Sequence, residues 1–293
     1  MKILFVGGGN MCQAIIGGLI AQGSHAADMR AIEPLAETRA SLGRLGIASA
    51  AAFQESDLEA GVIVLAVKPQ MMKVALAPLA GKLRNQLVLS IAAGIRIADL
   101  ARWLVPPTGG STSRGYENIV RAMPNTPALI RAGITGLYAL PGVSAEGRAA
   151  AESLLGAVGQ TAWFENEAML DAVTAVSGSG PAYVFYFIEA LEAAARELGF
   201  DDAKARQFAL QTFLGGAQLA AASADAPALL RERVTSKGGT TERAIHTFDA
   251  LDLKRHVMNG VKAACERSRE LGDELSDNMA VDATTAAQPI RQR

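Results

Sequence analysis

Apolar residues along this chain follow two rhythms, and the change from one to the other divides it. The first half carries short, nearly continuous apolar runs: KILFV (2–6), VIVLAV (62–67) and QLVLSIAAG (86–94). Runs of that length, without polar alternation, predict strands buried on both faces of a parallel sheet. Residues 28–32 can form a second strand and QTAWF (160–164) a last one, with 119–124 and 134–140 as weaker candidates. Between them, residues 11–23, 35–45 and 145–159 have helical spacing. Strands alternating with helices predict an α/β, Rossmann-like domain with a mostly parallel sheet over residues 1–164.

From residue 165 the strand signal stops. Ala, Leu, Glu and Arg recur at helical intervals over 167–223 and 242–271, most clearly in FYFIEALEAAARELG (185–199), with Gly199 as a helix stop. This predicts an all-α domain over 165–275. Residues 276–293 lose the periodicity and read as a disordered tail, and PPTGGSTSRG (106–115) reads as a flexible surface loop. A helical half so rich in small and apolar residues has more apolar surface than one small domain buries by itself, which predicts self-association.

Composition narrows the function classes. Of 293 residues, 50% are hydrophobic, enough for a sizeable core. Lys+Arg 28 against Asp+Glu 29 leaves no basic excess for nucleic acid or an anionic membrane. Cys12 and Cys265 are too few for a disulfide framework, and His25, His246 and His256 lack metal-ligand spacing. MKILFVGGG imitates a signal peptide, but its apolar run breaks at three glycines. Without an apolar stretch of about 18 residues, the expectation is a soluble, cytoplasmic protein.

Two stretches carry the candidate chemistry. GGGNMC places Gly7 and Gly9 after a strand and at the start of a helix, the beginning of a dinucleotide fingerprint, with Cys12 as the third small residue. Gly7 allows the tight turn, and Gly9 allows a pyrophosphate to approach the helix N-terminus. The acidic partner expected at the end of the second strand is Glu33, which sits at the correct end of the sheet; Asp28 sits at its beginning. RVTSKGGTTERAIHTF (233–248) sets two glycines among Thr235, Ser236, Thr240 and Thr241, just ahead of a helix. That pattern suits a seat for a small anion, and also an ordinary loop with a threonine N-cap, the commoner fate of such sequences.

Taken in order, GGGNM, AVKPQ (66–70), RAMPNTPA (121–128), VSGSGPAYVF (176–185) and VTSKGGTTE (234–242) closely resemble the pyrroline-5-carboxylate reductase family, from about residue 2 to about residue 275. The resemblance implies a nicotinamide-binding Rossmann domain followed by an all-helical dimerisation domain. It also implies an intertwined homodimer, possible assembly into a decamer, and active sites built between subunits. The implied reaction is NADPH- or NADH-dependent reduction of 1-pyrroline-5-carboxylate to L-proline. Cofactor contacts carry over to Gly7, Gly9, Asn10, Met11, Glu33, Ala66, Val67, Lys68, Pro69 and Asn125. Ser236, Gly238, Gly239, Thr240 and Thr241 correspond to the substrate loop, with Thr241 nearest the imine nitrogen. A carboxylate at Glu33 would bind ribose hydroxyls and repel a 2′-phosphate, so NADH is expected to serve at least as well as NADPH. Departures are Cys12, Phe53 (where many members carry Asn), Lys237 (often Pro) and the lengthened 106–115 loop. The nearest rival, a 3-hydroxyacid dehydrogenase, needs a lysine early in its helical domain, and VSGSGPAYVFYFIEAL contains none.

Overall fold

The computed structural model describes residues 1–106 and 115–285. Residues 107–114, inside the expected surface loop, and 286–293 lie outside the described residues. Two compact units emerge. One comprises Met1–Gly178 with the chain from Ala264 onward, and the other Ser179–Ala263.

The first unit is built on an eight-stranded sheet in the order β3-β2-β1-β4-β5-β6-β7-β8. Its strands are β1 Ile3–Val6, β2 Met29–Ile32, β3 Ala48–Ala50, β4 Val62–Leu65, β5 Leu87–Ser90, β6 Ile119–Met123, β7 Gly133–Ala139 and β8 Gly159–Trp163. The apolar runs are explained by burial on both faces. Ile3, Phe5, Val62, Val64, Leu87 and Leu89 join one core, while Leu4, Val6, Ile63, Leu65 and Val88 join the other. Successive side chains point to opposite faces, so a strand covered on both sides must be apolar throughout. Helices α1 Asn10–Ala21, α2 Ala36–Arg44, α3 Met72–Leu76, α4 Ile97–Trp103 and α5 Ala145–Gly156 connect the strands.

Every pairing is parallel except β6 with β7. The β6–β7 connection is short, a 3-10 turn over Thr126–Ile130 followed by Arg131 at φ 60°, and has no room for a crossover helix. Strand β3 was not anticipated; ASA has too little apolar contrast to show as a strand.

No strand follows Trp163 among the described residues, as the all-helical second half requires. Helix α6 Met169–Val173 and a π turn over Thr174–Gly178 still belong to the sheet unit, burying Leu170 and Ala175. The second unit holds α7 Gly180–Glu197, α8 Asp202–Ala221, α9 Pro227–Arg233, α10 Thr240–Ala250 and the first part of α11 Leu253–Thr285. The rest of α11 returns to the sheet unit: Ser268 donates to Asp171 (2.7 Å), Arg96 pairs with Asp273 (2.5 Å) and Ser276 donates to Asp99 (2.5 Å). Residues 276–285, read from the sequence as part of a disordered tail, are therefore helical. No helix of the described residues is long and apolar enough to cross a membrane.

Candidate functional site

Strand order reverses its sense of progression between β1 and β4, and the carboxyl ends of those strands carry both segments expected to face a dinucleotide. Gly7 leaves β1 at φ 100°, its N–H bonded to the Ile32 carbonyl (2.8 Å). A Cβ there would lie 2.8 Å from the Ala66 carbonyl carbon and oxygen and 2.9 Å from the Val67 nitrogen, so the turn lies flat against the chain leaving β4. Gly9 differs. It is extended (φ −67°, ψ −174°), and a Cβ built on it would meet nothing within 4 Å. The space over Gly9 is open, and α1 begins there with no side-chain cap and no acidic residue in its first turn. The N–H groups at Asn10 and Met11 thus face that space without an intrahelical acceptor. An open approach at a glycine beside an uncapped helix N-terminus fits a pyrophosphate.

Ala66 and Val67 are half-buried, Lys68 is exposed, and Pro69 opens a 3-10 turn over Pro69–Met71. Cys12 is fully buried beneath the turn. Burial pushes its thiol well above the usual range, helped by the Glu33 carboxylate, so it acts as a small packing residue. Phe53 packs against the core and lies under the Lys82 ammonium, 5.2 Å from the ring centre.

Two expected cofactor residues have their side chains engaged within the protein. The Glu33 carboxylate accepts from the Gly8 N–H (2.8 Å) and the Leu35 N–H (2.9 Å). The Asn125 side chain donates to the Ser177 carbonyl (3.1 Å) and accepts from the Ile134 N–H (2.9 Å). Asn125 thereby ties the rigid MPNTP loop to β7 and to the π turn. The VSGSG segment packs in the same place: a Cβ at Gly178 would sit 2.7 Å from the Met123 methyl, and Ser177 donates to the Val173 carbonyl (2.9 Å).

In the helical unit, the hydroxyl-rich loop leads into α10. Gly238 takes φ 74°, and Gly239 is the N-cap, with no side-chain cap bond. Thr240 and Thr241 are the first two helical residues, so neither is the N-cap. Glu242 accepts from the Gly238 N–H (2.8 Å), and the Gly239 N–H donates to the Ser236 carbonyl (3.0 Å). A Cβ at Gly239 would sit 2.7 Å from the Ser236 hydroxyl oxygen and 3.0 Å from the Ser236 carbonyl oxygen, so a side chain there would crowd the loop. What remains is the N–H groups of Thr240 and Thr241 and three hydroxyls, on Ser236, Thr240 and Thr241. None of those hydroxyls makes a hydrogen bond to protein among the described residues. Lys237 is exposed beside them.

Sequence reasoning did not pick out Gln13, whose amide donates to the Gly8 carbonyl (2.8 Å). It also passed over Arg121, a buried cation paired with Glu167 (2.7 Å), whose carboxylate in turn accepts from the Ile97 N–H that opens α4 (2.8 Å). An arginine inside a strand was the one visible signal for that clamp.

Residues 167–271 match the family described as pyrroline-5-carboxylate reductase dimerisation, and residues 2–94 match that described as NADP oxidoreductase coenzyme F420-dependent. The pyrroline-5-carboxylate reductase of Pseudomonas aeruginosa is 47% identical over 276 residues, covering 94% of this chain and 98% of that protein. The chain belongs to the pyrroline-5-carboxylate reductase family. The reductase of Haemophilus influenzae is 41% identical, over 92% of this chain and 97% of its own length. Among solved structures, a pyrroline-5-carboxylate reductase from Coxiella burnetii superposes with a TM-score of 0.84 at 37% identity, covering 92% of this chain and 98% of the other. The Plasmodium falciparum pyrroline carboxylate reductase, solved with NADP bound, superposes at 0.78 with 27% identity, covering 93% and 98%. Family membership and the two folds together make this an NAD(P)H-dependent oxidoreductase with a dimerisation domain.

Proposed function

We propose that the protein reduces 1-pyrroline-5-carboxylate to L-proline in the cytoplasm, as a homodimer in which the glycine turn of one chain serves the 236–241 loop of its partner. The observation that carries the substrate side is the start of α10. Two backbone N–H groups and three hydroxyls gather there without protein partners, at the positive end of a helix, and suit a single small carboxylate.

In this reading the Thr240 and Thr241 N–H groups and the Ser236 hydroxyl hold the carboxylate. The Thr241 side chain orients the ring nitrogen. A threonine hydroxyl is too weak an acid to protonate that nitrogen near neutral pH, so the proton comes from solvent or arrives with an already protonated imine. The reduced nicotinamide supplies the hydride when bound. The turn at Gly7–Met11 and the chain at Ala66–Pro69 hold the dinucleotide, while Asn125 keeps the MPNTP loop rigid. Most of the rate then comes from positioning.

Self-association is supported by the helical unit, where Phe185, Tyr186, Phe208, Leu219 and Phe248 are exposed and α7 and α10 contain no buried residue. An apolar cavity of about 310 Å³ opens between α7 and α11, lined by Tyr183, Tyr186, Phe187, Leu253 and Val257. A partner chain would cover such a surface.

The test is oxidation of NADPH or NADH with 1-pyrroline-5-carboxylate as the sole acceptor, with L-proline identified as product. Turnover that requires the imine is expected. A flat trace from protein that binds the cofactor would contradict the proposal.

A further inference from the structure

The carboxyl end of β2 is where sheets of this order meet the adenosine ribose of a dinucleotide. Two charged side chains stand there, and their hydrogen bonds separate their duties. Glu33 is only 7% exposed, and each of its oxygens is occupied by a backbone donor, Gly8 N–H on Oε2 and Leu35 N–H on Oε1. Its side chain also packs on the turn, since a Cβ at Gly8 would lie 3.2 Å from the Glu33 Cγ. The carboxylate is thus directed into the protein, holding the glycine turn to the end of β2.

Arg39 reaches the same place from α2. Its Nη1 donates to the Glu33 carbonyl (2.8 Å) and the Pro34 carbonyl (2.7 Å). These bonds fix one corner of the guanidinium at the strand end. The Nη2 and Nε donors make no hydrogen bond among the described residues, and the side chain is half-buried. A guanidinium anchored on one edge, with donors left on the other, has lost most of its freedom before any ligand arrives. That is the arrangement that favours a phosphate.

We infer that Arg39 recognises the 2′-phosphate of NADPH and sets the cofactor preference, while Glu33 is a positioning residue for the Gly8 turn and does not read the ribose. NADPH then binds more tightly than NADH, the reverse of what a carboxylate at position 33 suggests from sequence alone. The inference rests on the cofactor site proposed above.

Calorimetric titration of the intact oligomer with NADPH and with NADH tests it. The wild type should favour NADPH by about 10-fold or more, the scale of a charge-assisted hydrogen bond. Arg39→Ala should bring the two affinities within about 2-fold of each other, chiefly by weakening NADPH. Glu33→Gln leaves one of the two backbone donors without its acceptor. It should lower the Tm and weaken both cofactors alike, with their ratio unchanged within about 2-fold. If Arg39→Ala melts early, Arg39→Gln replaces it. A wild type indifferent to the 2′-phosphate, or an Arg39 variant that keeps the preference, overturns the inference. So does a Glu33→Gln protein whose ratio moves about 10-fold toward NADPH, as loss of a repelling carboxylate would produce. Failure of the wild type to bind either cofactor would instead refute the cofactor site itself.

Discussion

Thr241→Ala should lower kcat by roughly 30- to 1000-fold, the worth of one hydrogen bond of about 2–4 kcal/mol to a developing charge. Cofactor affinity and Tm should stay near wild type. The structure sharpens the second half of that expectation. Thr241 is the second residue of α10, Gly239 is the N-cap, and no side chain caps the helix. Removing the hydroxyl therefore deletes no capping bond, whereas loss of a true threonine cap would cost about 1 kcal/mol. Thr241→Ser keeps a hydroxyl in reach and should retain much of the activity. Ser236→Ala should mainly raise KM, because a carboxylate contact exists in ground and transition states alike. A Thr241→Ala protein with normal turnover would remove this residue from the site.

Gly9→Ala should leave the fold largely intact and cost about 100-fold in kcat/KM, since a displacement of about 1 Å at a bound reactant is enough for that. The backbone at Gly9 suits an alanine, and the added carbon would touch no protein atom. It enters the space proposed for the pyrophosphate. Its cost to stability should stay within about 1 kcal/mol, the price of a poorer N-cap. Gly7→Ala is the contrasting control. There the methyl would press on the Ala66 and Val67 backbone at a φ of 100°, so loss of stability, by about 2 kcal/mol or more, should accompany loss of binding. Paired thermal melts and cofactor titrations distinguish the two. Equal destabilisation of both variants would mean that Gly9, like Gly7, is only a structural turn.

The α/β half was legible because its strands are buried on both faces, which leaves runs such as VIVL with no polar residue to confuse the pattern. Strand β3 was not, because Ala and Ser at 48–50 carry no such contrast. Composition announced helices after residue 165, yet could not say what they pack on. Leu170, Ala175 and the Asn125–Ser177 bond attach the first of them to the sheet, so the compact unit runs to Gly178. The return of α11 through Ser268, Asp273 and Ser276 depends on partners far away in sequence, which no local period reveals. At the candidate site, motif spacing pointed to the Gly7–Gly9 turn, and the family resemblance to the 236–241 loop. Neither could aim side chains. Glu33 stands at the predicted strand end, but only the folded chain shows its carboxylate turned onto Gly8 and Leu35. The capping question at Thr240 and Thr241 was likewise undecidable from residue types, because an N-cap and a first-turn residue can both be threonine.

In the proposed homodimer, the glycine turn of one chain and the hydroxyl loop of the other act on one substrate. Gly9→Ala and Thr241→Ala chains carrying different tags can be co-expressed and the mixed dimer isolated. In it, one site would combine the intact Gly9 of the second chain with the intact Thr241 of the first, and the other site would carry both defects. The mixed dimer should therefore recover about half the activity of the wild-type dimer, since one of two symmetry-related sites is restored. A mixed dimer no more active than its parent variants would contradict the shared site.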